Sequence, residues 1–344
     1  MRGKISKVTL VVLVSIVMMF AGETRALSKK VEVIKLTSAY TGKDVRSLLA
    51  TKFKELAEAK TNGKVEVQLF LAGSLYPQKE EPVALGTGAV QMISTSTYAL
   101  MRMDPHWTIG VTFGLFKEWK QWDSVWDEAE PILQKRLHKA GIHMLDSFVC
   151  SNRVGANINN KRPIRRLEDH KGLKLRTPLA IGTLAKAMGF SPVGISVAEA
   201  FTSVQQGVVD GIGLTGLINV KENNFWQICK YCTLYELGMI VSGGLIANYK
   251  WWNGLEPELR NTLEEAVIEA RDWVRKEYFT IETDSFHFVK EKMGKGLIDL
   301  RTEDVEEHKR WGEVLLDASL KGFTKKWTPE FWEIITKYTG AKLP

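Results

Sequence analysis

Cysteine is scarce in this chain. Cys150, Cys229 and Cys232 are the three cysteines among 344 residues, and an odd number does not indicate a disulfide framework. Cys229 and Cys232 are spaced as a redox pair or a small disulfide would be, but no helix-opening turn or nearby histidine is present to lower the pKa of a thiol. Burial as small apolar residues is the favoured interpretation.

Common catalytic patterns are also absent. The histidines form no pair at three- or four-residue spacing and have no cysteine partner, which disfavours a catalytic zinc site. No Gly-x-Ser-x-Gly elbow occurs. Acidic residues are plentiful, but sequence alone cannot place two of them across a cleft, so hydrolase activity is unsupported. We expect no catalytic residue, no metal and no cofactor. The six histidines are His106, His138, His143, His170, His287 and His308.

Long apolar runs are missing except near the N-terminus. Arg2, Lys4 and Lys7 precede an apolar run over residues 8–21, and small residues flank a cleavage position after Ala26. This pattern is typical of a secretory signal peptide over residues 1–26. No later segment approaches the ~20 apolar residues of a transmembrane helix. We therefore expect an exported, periplasmic protein large enough for two domains.

No strong excess of one charge distinguishes the chain. The formal net charge is +7, part of which lies in the predicted leader, and the remaining lysines are interleaved with acidic residues. Because no arginine-rich face stands out, nucleic-acid binding is poorly supported. The mild basic balance would favour the approach of an anionic ligand without identifying it.

Periodicity predicts an α/β fold with two lobes. A strand pattern at residues 31–36, a helical pattern at 44–60 and a strand at 65–69 form one β-α-β unit. A second unit runs from a strand ending at Arg176 through a helix at 180–188 to a strand at 192–195. About a hundred residues separate the two units, which favours two sheets over one. We also interpret residues 208–211 as a short strand and turn.

One very long helix is predicted over residues 257–293, where no interior proline interrupts the pattern. At 1.5 Å per residue it would reach on the order of 55 Å, so we expect it to cross both lobes. The predicted lobe I comprises residues 27–150 plus about 239–270. The predicted lobe II comprises residues 151–238 plus parts of 295–344.

Arg176 is the strongest single indication of function. Leu173 and Leu175 alternate with Lys174 and Arg176 as in a half-buried strand, and a proline then ends the ladder. Small ligands bind at this edge in open α/β sheets, and a planar guanidinium suits a carboxylate. A surface ion pair with Glu168 or Asp169 is the alternative.

Residues 211–216 match the glycine spacing of a dinucleotide-binding loop, but their context does not. The preceding apolar stretch is very short, Asp210 interrupts it, and no clean helix follows. A nicotinamide cofactor is also improbable in an exported protein.

Several blocks, taken together, resemble the periplasmic solute-binding receptors of TRAP transporters. They are residues 53–56 (Phe-Lys-Glu-Leu) leading to 61–64, residues 161–164 (Lys-Arg-Pro-Ile), residues 171–176, and residues 199–211. The resemblance covers nearly all of the chain after the leader. It implies a type II-like periplasmic-binding fold, an organic anion bound between two lobes, and delivery to a permease. It also implies that Arg176 clamps a carboxylate.

The chain departs from this family at two places. A gapless comparison puts Gly155 where the family usually has a second arginine, and Arg153 is the candidate replacement. Residues 212–215 (Ile-Gly-Leu-Thr) stand where a polar Gln-Glu-Asn-Pro run is common. A less polar pocket follows, which favours an apolar or aromatic monocarboxylate over small dicarboxylates. The candidate ligand-binding residues are Arg176, Arg153, Leu214, Thr215, Val197, Tyr40, Ser94, Thr95, Glu80 and Phe113.

A binding protein requires only an anion clamp, a shaped pocket and a hinge. We expect a monomer that closes about crossovers near residues 150–151 and 236–238, with TRAP permease subunits as partners. Two alternatives share the same scaffold. One is a ligand-sensing partner of a signalling receptor, and the other is an exported enzyme.

Overall fold

Two mixed β-sheets organise the molecule. The computed structural model describes residues 31–40, 42, 44–151, 155–236 and 238–342. Within them, one sheet has the strand order β2-β1-β3-β10-β4 and the other has the order β11-β9-β5-β8-β6-β7. The predicted two-lobed α/β architecture is confirmed. The strands are β1 (Glu32–Thr37), β2 (Val65–Phe70), β3 (Met92–Thr95), β4 (Ile142–Ser151), β5 (Gly155–Asn159), β6 (Lys174–Thr177), β7 (Ser191–Gly194), β8 (Gly211–Gly216), β9 (Tyr231–Tyr235), β10 (Met239–Asn248) and β11 (Leu297–Asp299).

Helices cover the faces of both sheets. They are α1 (Val45–Lys60), α2 (Glu81–Gly86), α3 (Trp119–Lys139), α4 (Gly182–Ala187), α5 (Val197–Gln205), α6 (Leu217–Glu222), α7 (Tyr249–Asn253), α8 (Pro257–Met293), α9 (Leu300–Glu303), α10 (Val305–Phe323) and α11 (Pro329–Thr339).

The first β-α-β unit forms as its sequence predicts. Asp44 caps α1 by accepting a hydrogen bond from the Arg46 amide at 2.9 Å. Leu49 and Phe53 bury the inner face of the helix against the sheet. Asn62, with a φ of 49°, and the following glycine turn the chain back into β2, which pairs with β1 in parallel.

The second unit is built in the same way around β6, α4 and β7. Strands β6 and β7 pair in parallel, with Arg176 opposite Val193. Leu173, Leu175 and Leu184 bury one side of this unit in an apolar cluster. The Ser196 hydroxyl and the Glu199 side chain then form a capping box at the start of α5.

The long helix α8 packs on both halves of the molecule. Its first part buries Leu263, Ala270 and Val274 in the core beside the first sheet. Its last part buries Val289 and Met293 in a core of the second sheet. The expected helix thus has the expected bounds and touches both sheets.

The strand expected at residues 208–211 is wrong in position. Val208 and Val209 lie in bends, and β8 begins only at Gly211. A Cβ on Gly211 would lie 2.0 Å from the Ile158 carbonyl oxygen, and one on Gly213 would lie 2.7 Å from the Phe190 ring. These glycines therefore allow neighbouring atoms to pack closely against β8. Close packing, and not a nucleotide site, explains their dinucleotide-like spacing.

The predicted leader and Arg153 lie outside the described residues. Among the residues that are described, no helix is long and apolar enough to cross a membrane. Cys229 and Cys232 are buried free thiols. Burial raises the pKa of the Cys229 thiol to about 12, as expected for a packing role.

Candidate functional site

The carboxyl ends of the parallel strands in both sheets lie at the chain crossovers. The crossovers run from Ser151 to Gly155 and from Tyr235 to Met239. In the second sheet, Gly155 pairs with both Gly216 and Tyr235. In the first sheet, Thr95 at the end of β3 pairs with Gly244 in the middle of β10, and β10 and β4 continue as a pair to Met239 and Ser151. Both edges therefore lie on the side of their sheet from which the chain crosses to the other sheet, and open α/β sheets bind ligands at such edges.

Arg176 lies at the second-sheet edge. Its residue exposure is 9 %, and its Nε donates to the Ile195 carbonyl oxygen at 2.9 Å. This bond fixes the plane of the guanidinium and ties the end of β6 to the start of α5. The alternative surface ion pair is disfavoured because Glu168 pairs with Arg310 and Asp169 accepts bonds from backbone amides.

Val197 begins α5 beside this edge and is 42 % exposed. The Ser196 amide donates to Glu199 Oε2 at 3.1 Å, and the Glu199 amide donates to the Ser196 hydroxyl at 3.3 Å. The capping box therefore holds the first turn of α5 next to the Arg176 anchor.

Leu214 and Thr215 lie on β8, the neighbour of β6. Leu214 has a φ of 51°, a left-handed conformation that β-sheet residues rarely adopt. Both side chains are largely buried. Leu214 belongs to the same apolar cluster as Phe113 and Leu175, so the structure brings two of the predicted site residues together.

Phe113 joins this cluster from the chain segment before α3. Its amide donates to the Ser319 hydroxyl at 3.1 Å, which fixes the segment on α10. An apolar residue from the first half of the chain therefore contributes to the core beside the second sheet.

Tyr40, Ser94 and Thr95 lie at or beyond the carboxyl ends of β1 and β3. The Tyr40 and Ser96 hydroxyl oxygens are 2.6 Å apart, and Gln78 Nε2 donates to the Tyr40 hydroxyl at 2.5 Å. The Ser94 hydroxyl instead donates to the Arg46 carbonyl oxygen at 2.8 Å. This first-sheet edge is thus rich in hydroxyl groups.

Glu80 is exposed, and its side chain makes no capping bond to α2. The next residue, Glu81, is fully buried, and sequence reasoning missed it. Burial raises the pKa of the Glu81 carboxyl to about 8. The Thr95 hydroxyl, the Ala39 amide and Arg46 oppose the shift without cancelling it, and neither Glu81 oxygen meets full hydrogen-bond geometry. The sequence signal for the burial of Glu81 was helical spacing, because the buried residues Ala84 and Leu85 share its face of α2.

Two of the histidines are in contact away from the carboxyl ends of the parallel strands. His138 Nε2 and His143 Nδ1 are 2.9 Å apart, and Tyr249 stacks on His138. Burial lowers the pKa of His143 to about 4. The described part of the chain contains no group of three or more His, Cys, Asp or Glu side chains arranged to hold a metal ion.

Comparison with known proteins identifies the family of the chain. Residues 39–321 match the family described as bacterial extracellular solute-binding protein, family 7, the DctP family. The C4-dicarboxylate-binding periplasmic protein DctP of Rhodobacter capsulatus is 29 % identical over 297 residues, covering 82 % of this chain and 84 % of that protein.

Solved structures show the same fold. The Bordetella pertussis receptor DctP7, described as binding pyroglutamic acid, has a TM-score of 0.76 at 20 % identity and covers 89 % of this chain and 99 % of its own. A Pseudomonas aeruginosa TRAP solute-binding protein with bound L-malate has a TM-score of 0.72 at 24 % identity and covers 83 % and 98 %. The chain therefore belongs to the DctP family of extracellular solute-binding proteins, the periplasmic receptors of TRAP transporters.

Proposed function

We propose that this receptor captures an organic anion by its carboxylate between the two sheet edges and delivers it to a TRAP permease. The observation that carries the proposal is Arg176, nearly buried at the ligand edge and anchored through Nε to Ile195. A guanidinium with a fixed plane suits a carboxylate. The ligands named for the relatives above, a C4-dicarboxylate, pyroglutamic acid and L-malate, all carry carboxylates.

We propose more specifically a monocarboxylate with an apolar or aromatic body. Val197 offers an exposed apolar side chain beside Arg176, and Leu214 clusters with Phe113. The resemblance described above puts Gly155 where a second arginine is usual, with Arg153 as the candidate replacement. Each ligand methylene buried in such surroundings adds about 0.8 kcal/mol, whereas a second carboxylate without a partner would be costly.

We further propose that residues 1–26 are removed on export and that the mature receptor is a periplasmic monomer. Residues 27–150 and about 239–270 would form lobe I, and residues 151–238 with parts of 295–344 would form lobe II. The helix α8 touches the cores of both sheets, which supports its role as the element that follows any change in lobe angle.

Titration calorimetry with phenylacetate, 4-methylpentanoate, succinate and L-malate tests the ligand class. The two apolar monocarboxylates are expected to bind more tightly than the two dicarboxylates, because Val197 offers an exposed apolar side chain beside Arg176. A ranking in which succinate or L-malate exceeds both monocarboxylates would contradict the proposed class while leaving the carboxylate receptor intact.

A further inference from the structure

Strand β8 carries a bulge opposite Asn157. Ala156 of β5 pairs with Thr215, and Ile158 pairs with Ile212. The two residues between these β8 positions, Gly213 and Leu214, therefore face one residue of β5. Such a bulge takes a residue out of the regular ladder and changes which side chains lie on each face.

The bulge redirects Leu214. Ile212 packs in a core with Ala156 and Val204, and a regular strand would place the residue two positions later on that same face. Leu214 instead lies in the opposite cluster, which contains Leu175. The left-handed φ of 51° at Leu214 produces this reversal.

As a result, Thr215 lies on the face that Arg176 uses. Thr215 pairs with Ala156, whose side chain lies in the cluster of Ile212. Arg176 pairs with Ile212, so these two side chains share one face of the sheet. The neighbouring Leu175 lies on the other face. A one-residue shift reverses the facing of the following residues, so the bulge places a threonine, not a leucine, on the arginine side.

Asn157 holds the bulge together. It is fully buried, and its Oδ1 accepts the Leu214 amide at 2.8 Å and the Tyr235 hydroxyl at 3.0 Å. The Asn157 side chain thereby supplies an acceptor for an amide that the bulge removes from the regular ladder.

His170 fixes the orientation of the Asn157 amide group. Asn157 Nδ2 donates to His170 Nε2 at 2.8 Å, and His170 Nδ1 donates to the Leu167 carbonyl oxygen at 3.1 Å. This arrangement requires a neutral imidazole with its proton on Nδ1. Burial lowers the pKa of His170 to about 4, so the network stays intact at neutral pH.

We propose that Asn157 is a positioning residue of the ligand site and that Thr215, aimed by the bulge, is a specificity-determining residue. This inference rests on the proposed carboxylate receptor. Arg176 and Thr215 would receive the carboxylate end, and the exposed side chain of Val197 would lie toward the apolar body. The Thr215 hydroxyl would bind an oxygen on the carbon next to the carboxylate, which favours 2-hydroxy or 2-oxo monocarboxylates.

Hydrogen exchange tests the positioning role without any ligand. Asn157→Leu should speed exchange of the Leu214 amide by about tenfold or more, because its acceptor is lost. Asn159→Leu is the matched control, since Asn159 is buried on the same strand but bonds to the amides of Lys161 and Arg162 in a turn. Its variant should leave Leu214 protected. Equal protection of Leu214 in the Asn157 variant and the wild type would overturn the positioning role.

Calorimetry with mandelate and phenylacetate, which differ by one hydroxyl group, tests the specificity role. The wild type should bind one enantiomer of mandelate about tenfold more tightly than phenylacetate. Thr215→Val, which keeps the shape and removes the hydroxyl, should abolish this preference, and Asn157→Leu should weaken it. A preference retained in Thr215→Val would overturn the assignment. A wild type that binds neither acid would contradict the proposed ligand class, and the exchange result would still decide the role of Asn157.

Discussion

Arg176 combines a permanent charge with near-complete burial. Its interaction with a carboxylate would therefore be stronger than that of an exposed arginine. Its Nε bond to the Ile195 carbonyl oxygen orders the side chain before any ligand arrives. Ordering in advance reduces the entropy lost on binding. At the residue scale, the proposed contact with a carboxylate therefore depends mainly on one side chain.

Replacing Arg176 should remove most of the affinity for a carboxylate. Loss of one partner from a desolvated charge pair typically costs about 2–5 kcal/mol. Arg176→Lys should restore little, because an ammonium group cannot reproduce the planar fork. Calorimetry with the acid that ranks first for the wild type measures both effects. Arg165→Ala is the control, because this exposed arginine pairs with Glu303 away from the edge, and near-native affinity in Arg176→Ala would refute the assignment.

Glu81 should make stability depend on pH. Its pKa is raised to about 8 in the folded protein, so between the unfolded value near 4.5 and pH 8 the folded state holds a proton that the unfolded state has released. Stability from this group is fully present below the unfolded pKa and declines as pH rises, by at most about 1.4 kcal/mol per unit.

Glu81→Gln removes this proton linkage. The variant should therefore gain stability relative to the wild type as pH rises from 5 to 8.5, measured by urea unfolding at several pH values. Glu80→Gln alters the exposed neighbour and should follow the wild type throughout. Parallel curves for Glu81→Gln and the wild type would mean that the buried carboxyl does not hold its proton.

Helix α5 links local capping to the ligand edge at the element scale. Its capping box begins at Ser196, directly after the residue whose carbonyl anchors Arg176. A frayed first turn would therefore loosen the arginine as well as the helix.

Ser196→Ala should lower stability by about 1 kcal/mol and also weaken carboxylate binding. Thr328→Ala at the start of α11 is the matched control, because Thr328 caps a helix in another core. Urea unfolding should give similar losses for both variants, and calorimetry should show weaker binding only for Ser196→Ala. Equal affinities in the two variants would show that the Ser196 cap does not affect carboxylate binding.

Sequence predicted the regular elements well because their signals are local. Asp44 before α1, the capping box at Ser196 and the unbroken pattern of α8 act within a few turns of helix. The β8 bulge could not be predicted, since it depends on Asn157 of another strand and on how Leu214 packs. Helical spacing with Ala84 and Leu85 was a signal for the burial of Glu81, but the groups that interact with its carboxyl, Thr95 and Arg46, are distant in sequence and could not be identified.

At the scale of the whole molecule, two sheets are joined by chain crossovers, and one long helix packs on both. Few covalent connections join the halves, so a ligand that contacts both edges can stabilise a closed arrangement by its higher affinity for that state. Closure on a carboxylate is the central claim of this account.

Small-angle X-ray scattering measures closure most directly. The wild type should show a smaller radius of gyration when saturated with the acid that binds most tightly in calorimetry. Arg176→Ala at the same acid concentration should keep the radius of the free protein. An unchanged wild-type curve under conditions where calorimetry confirms saturation would contradict a receptor that closes on its ligand.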